Sequence, residues 1–271
     1  MGFWNRNSSD PLLDSLLKKY HLNLLSVPRE NALVGDLYMQ ENNSNVVSTP
    51  GNIINFLTPK FEIPVVKQNE QMADVSGQVS KDISGKAGFD FLEGFLEKLG
   101  AAGIGAKIRG AYEGSKNNKI LFGYPNPKRD SVDPFEFGTK LMGHSFITDH
   151  PLYAEGRRYY VVTGVAKTNS LSIELQGDEK QALDLNANIA EIGNASGGFK
   201  LENNQTGKIT YTGDKNLVFG VELYELKYPK DGQKFSMSPT ENAKLLRGRP
   251  GDEPAFIGDP DDGDAFISIT S

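Results

Sequence analysis

Between Arg157 and Tyr228 the chain reads mostly as strands, several of them with apolar and polar side chains alternating with a period of two, and this limits the fold more than any other feature of the chain. Tyr159-Tyr160-Val161-Val162 is a β-rich run, and Leu171, Ile173 and Leu175 then alternate with Ser172, Glu174 and Gln176. Ile209 and Tyr211 alternate with Lys208, Thr210 and Thr212. Leu217, Phe219, Val221 and Leu223 form one face of a last strand over Leu217 to Tyr228. A short strand over Phe199 to Glu202 precedes them. A helix is expected over Asp178 to Ile192, where Ala182, Leu183, Leu185, Ile189 and Ile192 are apolar.

The first half adds smaller pieces. Asp10 caps an expected helix to Tyr20, with Pro11 in its first turn and Leu12, Leu13, Leu16 and Leu17 on one face. Leu22 to Val27 reads as a strand ending at Pro28, and Leu33 to Gln40 as another. Ile53 to Val66 is expected to be extended and, being broken by Pro59 and Pro64, to lie at an edge. Together these elements predict an α+β fold, a twisted antiparallel sheet with packed helices.

Phe89 to Leu99 has helical spacing, with Phe89, Leu92, Phe95, Leu96 and Leu99 apolar. Beyond it Gly100, Gly103, Gly105, Gly110 and Gly114 are interspersed with Ala, Ile and Lys. Each glycine lowers helix stability by roughly 1 kcal/mol relative to Ala. Two readings stay open for residues 89–113: a buried helix followed by a glycine-rich loop, or an apolar segment weakly committed to one secondary structure and able to change.

The C-terminal part divides in two. Residues 239–251, with Lys244-Leu245-Leu246-Arg247-Gly248-Arg249-Pro250-Gly251 at their end, read as an exposed linker of the kind proteases cut. In residues 252–271 six acids surround Phe256, Ile257, Phe266, Ile267 and Ile269. Apolar residues so placed need a surface on which to be buried. The tail is therefore either a removable plug or an ordinary closing strand on a body of residues 1–238.

Composition narrows the function classes. With 271 residues, 38% hydrophobic and 10% aromatic, the chain suits a globular core. No cysteine is present, which removes disulfides, cysteine-type zinc sites and thiol catalysis. Gly248 to Ser271 carries six acids and one Arg, a net of -5. The whole chain carries -6, so the rest carries -6 - (-5) = -1. A near-neutral body is better tolerated than an acidic one at an anionic surface. The sequence pI near 5.2 argues against general nucleic-acid binding. No run approaches the roughly 20 apolar residues of a membrane helix. Met1-Gly2-Phe3-Trp4-Asn5-Arg6 has no continuous apolar core, and Arg6 stands where an acylation signal wants Ser or Thr. A soluble cytoplasmic protein is the expectation.

No catalytic or cofactor-binding constellation emerges. Gly100, Gly103 and Gly105 lack the dinucleotide-binding order, and there is no phosphate-binding loop signature. His144, Asp149 and His150 lie in a Pro-bounded loop without helical metal-ligand spacing, so no metal is assigned to them. Asp259 to Asp264 departs from a calcium loop at Gly263 and has no Glu at the twelfth position.

Pro11-Leu12-Leu13 through Leu16-Leu17-Lys18-Lys19-Tyr20, followed by Leu24-Leu25-Ser26-Val27-Pro28-Arg29, resembles the opening helix and first strand of bacterial gasdermins. The order of the later features is similar too: a glycine-rich apolar segment near 90–115, a strand–helix–strand unit near 157–223 and a short cuttable tail after about 245. The resemblance implies a non-enzymatic pore former of antiphage cell death, cytoplasmic and held inactive by its own tail. A caspase-like or trypsin-like protease would remove the tail. The body would then enter the inner-membrane lipid and form a large homo-oligomeric β-barrel from monomers, with no cofactor and no nucleic acid.

Carried onto this chain, the cut falls between Leu245 and Gly248, after Leu246 in the first instance and Arg247 in the second. Phe256, Ile257, Phe266, Ile267 and Ile269 become the inhibitory contacts. Two hairpins would extend from residues 89–124 and 159–223. Their candidate membrane residues are Phe89, Leu92, Phe95, Leu99, Ile104, Ile108, Tyr160, Val162, Leu171, Ile173, Ile209, Tyr211, Leu217 and Phe219. In one respect the chain departs from the family. Many bacterial members carry a lipidated cysteine near the N-terminus, where this chain has Phe3 and Trp4. Two other readings fit a cysteine-free α+β chain: a phage-tail or secretion-system subunit that assembles without proteolysis, and an enzyme with a dispersed site around His144.

Overall fold

A computed structural model of the chain describes residues 21–40, 47–79, 93–98, 103–114, 119–147, 157–176, 200–203, 208–227, 235–239, 266–267 and 269–270. Its spine is an antiparallel pair of long strands, β10 (Arg158–Gln176) and β12 (Lys208–Lys227), in register from Tyr159↔Leu226 to Glu174↔Lys208. The alternation pattern had divided β12 in two around Gly213-Asp214-Lys215-Asn216. The structure runs it through as one strand of 20 residues. A register shift between Thr168 and Ser170 absorbs the irregularity. Side chains then stitch it: Asn169 Nδ2 donates to the Gly213 carbonyl at 2.9 Å, and the Ser170 and Thr212 hydroxyls lie 2.9 Å apart.

Around this spine the main path of the sheet runs β14-β1-β12-β10-β2-β3-β15. Here β1 is Asn23–Arg29, β2 Asp36–Gln40 and β3 Val47–Asn52. The terminal members are β14 (Phe266–Ile267) and β15 (Ile269–Thr270). Further along the spine, β7 (Lys119–Tyr124) pairs with β10, β6 (Val75–Val79) with β7, and β11 (Lys200–Asn203) with β12. Nearer the middle, β8 (Lys128–Ser131) joins β10 and β5 (Lys67–Gln71) joins β8, while β13 (Ser236–Pro239) borders β12. A separate two-stranded sheet pairs β4 (Leu57–Thr58) with β9 (Ser145–Phe146). The fold is α+β, as the pattern predicts: a curled, mostly antiparallel sheet with few helices.

The spine is buried on both faces. Tyr159 and Val161 enter one core cluster with Phe56, Phe61, Phe137 and Phe146. Tyr160 and Val162 enter the other with Leu25, Tyr38, Val218 and Val221. Strand alternation puts apolar material on each side of β10. On β12 a register shift opposite Ala166 and Lys167 lets Val218 join Val221 and Leu223 in the second cluster, and Leu217, Phe219 and Glu222 are buried too. The first cluster is roofed by the helix Pro134–Leu141. Asp133 caps it, accepting from the Phe135 and Glu136 amides at 2.8 and 3.0 Å. Phe137 and Leu141, four residues apart, share its buried face.

One expectation is corrected, and one of two open readings is set aside. Ile53 to Val66 is not an extended edge: a 3-10 turn (Ile53–Asn55) capped by Asn52 opens it, and beyond β4 its path carries no regular structure until β5 begins at Lys67. The glycine-rich segment is not a loop: Ile104–Gly114 is an α-helix, following helical residues 93–98. Tertiary packing overrides the weak propensity, because Ile104 and Ile108, four apart, are both fully buried. The expected helices over Asp10 to Tyr20 and Asp178 to Ile192 lie outside the described residues.

Candidate functional site

The tail docks at both ends of the sheet path. β14 runs parallel to β1, with Leu24 opposite Phe266 and Leu25 opposite Ile267. β15 runs parallel to β3, with Ile269 opposite Val47 and Thr270 opposite Ser48. One residue separates β14 from β15 in the chain, so the two ends of the path are brought together and the sheet curls back on itself. These are the only parallel pairings among the described residues. An edge strand presents a row of unpaired N–H and C=O groups, and closure removes that edge. The tail's backbone is thus a closing strand, set between β1 and β3. Phe256 and Ile257 lie outside the described residues, as do Leu245, Leu246, Arg247 and Gly248 of the expected cut site.

The hairpin candidates separate into a helical cover and a strand register. Phe95 lies in the helical turn 93–98 and is fully buried, as are Ile104 and Ile108. Phe95 packs on Tyr124 of β7 at 5.8 Å between ring centroids, and Tyr124 stacks on Phe219 of β12 at 4.2 Å. The helical segments therefore rest on the strands that the resemblance expects to lengthen. They approach each other closely at Gly105, where a Cβ would stand 2.6 Å from Glu93 Cα. On the spine, Tyr160, Val162, Leu171 and Ile173 of β10 and Tyr211, Leu217 and Phe219 of β12 are buried, while Ile209 pairs with Ile173 through its backbone. Phe89, Leu92 and Leu99 lie outside the described residues.

The register across these strands is continuous. Gln78, Leu121, Glu174 and Lys208 form one row across β6, β7, β10 and β12. Gly77, Phe122, Ile173 and Ile209 form the next. Residues 80–118 connect the first pair and residues 177–207 the second. Two antiparallel pairs thus lie side by side in one sheet.

Sequence reading missed the charged clasps across the middle of the sheet. Arg129 Nη2 on β8 donates to Glu222 Oε2 on β12 at 2.6 Å. The two reach each other over Gly164 of β10, where a Cβ would meet Glu222 Oε2 at 2.7 Å. Burial pushes the Glu222 carboxyl above the usual carboxylate range, against the pull of Arg129 and His21. Beside it Lys167 Nζ meets Asp130 Oδ2 at 2.5 Å, and Asp130 Oδ1 accepts from the Asn69 amide at 2.7 Å.

The turn between β1 and β2 is fixed by a polar knot. Asp36 accepts from the Leu33 amide at 2.8 Å and from Asn52 Nδ2 at 3.2 Å. Burial still raises its carboxyl above the usual value, with those hydrogen bonds and Arg29 opposing. Gly35, at φ +88, holds a backbone conformation that side chains disfavour, and a Cβ there would push on Ile63 Cδ1 at 2.3 Å. His144, the one described member of the imagined metal set, has its Nδ1 2.9 Å from the Lys140 carbonyl oxygen and packs edge-on to Phe61.

A curled antiparallel sheet, covered by short helices and closed by its own C-terminal strand, is the class of protein this geometry defines. The family model described as the Bacterial Gasdermin Family matches residues 25–234. The chain belongs to that family. It is 29% identical to gasdermin bGSDM of Vitiosangium sp. (strain GDMCC 1.1324) over 226 residues, covering 80% of this chain and 81% of that protein. It is 25% identical to gasdermin bGSDM of Bradyrhizobium tropiciagri over 283 residues, covering 98% of each. The solved structure of a bacterial gasdermin from Bradyrhizobium tropiciagri superimposes with a TM-score of 0.64 at 20% identity, covering 97% of this chain and 98% of that one, which shows a shared fold.

Proposed function

We propose that this protein is an autoinhibited pore former whose C-terminal tail holds the sheet closed. A caspase-like or trypsin-like protease cuts the linker after Leu246 or Arg247. The freed body, cytoplasmic and monomeric until then, enters the inner membrane and oligomerises into a large β-barrel. Cell death in antiphage defence is the outcome. Family membership supports the pore-forming part of this reading. The observation that carries the inhibitory part is the pairing of β14 with β1 and β15 with β3.

The physics of such a switch is favourable. The two-residue parallel pairings among the described residues are weak: each hydrogen bond contributes roughly 0.5–1.5 kcal/mol net. While tethered, the tail acts at an effective concentration on the order of mM. Cutting one peptide bond removes that tether and lets a marginal contact dissociate. No helix among the described residues is long and apolar enough to cross a membrane, a test that does not bear on strands. A closed β-barrel satisfies every backbone group within lipid, and each strand needs roughly 9–11 residues. β10 and β12, at 19 and 20 residues, already exceed that length.

Dye release from liposomes tests the reading, with a site-specific protease sequence placed between Leu246 and Gly248. Release only after cutting is the expected result. Silence before and after cutting, across several lipid compositions, would turn the assignment toward a structural subunit that assembles without proteolysis.

A further inference from the structure

We propose that, once the tail has left, β1 of one copy pairs with β3 of the next, so that the two edges closed by the tail become the two halves of a head-to-tail interface. The inference rests on the pore-forming reading and adds the surface through which copies meet.

Among the described residues, the outer edge of β1 pairs only with β14 and the outer edge of β3 only with β15. Departure of the tail therefore frees the described pairings on both edges together. Their directions match. From β1 through β12, β10 and β2 to β3 every step is antiparallel, so four reversals return β3 to the direction of β1. The tail runs parallel to both, as that geometry requires.

Two parallel edges on opposite ends of one sheet are a heterologous pair of surfaces. Copies related by rotation about one axis share polarity, so β1 of one can meet β3 of its neighbour in parallel, and repetition closes a ring. Pairing of β1 with β1 would need a two-fold axis and would stop at a dimer. The neighbour also offers more than the tail does. Among the described residues the tail pairs with two residues of each edge, whereas β1 has seven residues and β3 six. The rival occupant of the β1 edge is β3 of the same copy, which would require the sheet to contract by one strand spacing of about 4.8 Å.

The absence of cysteine makes the test clean. Ser26→Cys on β1 and Ser48→Cys on β3 are made as separate proteins, each with the engineered cut site. They are mixed on liposomes, cut and treated with a short bismaleimide. The expected result is cross-linked dimer from the mixture after cutting, little before cutting, and little from either variant alone. A protein carrying both cysteines should give a ladder of higher oligomers.

Dye release without cross-linked dimer would overturn the interface and leave the pore reading standing. Homotypic dimer from Ser26→Cys alone, or only internally linked monomer from the double variant, would overturn it as well. Cross-linking without dye release would uphold the interface and sink the pore. Should Ser26→Cys fail to fold, Arg29→Cys on the same strand replaces it.

Discussion

Gly105 and Gly164 show how much of this fold depends on a missing side chain. At Gly105 the helical segments 93–98 and 104–114 approach so closely that a Cβ would overlap the Glu93 backbone. Gly105→Val should lower stability by about 1–3 kcal/mol, read from the midpoint of urea unfolding. An unchanged midpoint would mean that the helical cover contributes little. The clasp over Gly164 gives an asymmetric expectation. Arg129→Met strands a buried carboxylate and should cost about 2 kcal/mol. Glu222→Gln leaves a cation whose side chain is 35% exposed and can reach water, so its cost should be much smaller. Equal losses from the two variants would contradict the burial argument.

Because burial raises the Glu222 and Asp36 carboxyls, the folded state binds their protons more tightly than the unfolded chain does. Their ionisation opposes folding. This contribution to stability is complete below the ordinary values, 4.5 for Glu and 3.8 for Asp, and is lost as pH rises through the raised ones. Glu222→Gln, which cannot ionise, should gain on wild type as pH rises and fall back toward it on acidification. Thermal melts across that window check the sign, and a gap that widens in acid would reverse it. Neither clasp nor knot was legible in the sequence. Arg129 and Glu222 are 93 residues apart and meet only through the register of three strands.

At the scale of elements, legibility followed the range of the interactions. The period-two pattern of β10 is local, and the strand lies where the pattern places it. The 104–114 helix is not decided by the sequence, which leaves a loop and an uncommitted segment both open, because glycine propensity is also local, whereas Ile104 and Ile108 are held by tertiary burial. The tail's composition marked it as something needing a partner. Which partner depended on the sheet order, and no local signal placed one dipeptide beside β1 and the next beside β3. The backbone pairings of Phe266 and Ile267 with Leu24 and Leu25 lead to a direct expectation. Aspartate is poor in strands, so Phe266→Asp with Ile267→Asp should weaken β14. The uncut double variant should then release dye at a readily measured fraction of the rate of cut protein. An inert double variant would mean that this pairing does not restrain the body.

For the whole molecule, the four strands β6, β7, β10 and β12 stand in one continuous register under their helical cover, and a single short segment joins the two ends of the sheet path. On the proposed mechanism the seated tail strand, rather than the intact peptide bond, keeps the body silent. A disulfide between Leu24→Cys and Phe266→Cys separates the two, since adjacent strands bring Cα atoms within bridging range and the chain has no cysteine to interfere. The measurement is dye release from liposomes by this variant, cut at the linker and kept oxidised, then reduced. Silence is expected while the bridge holds, and release when reductant is added. Full release with the bridge intact would contradict it.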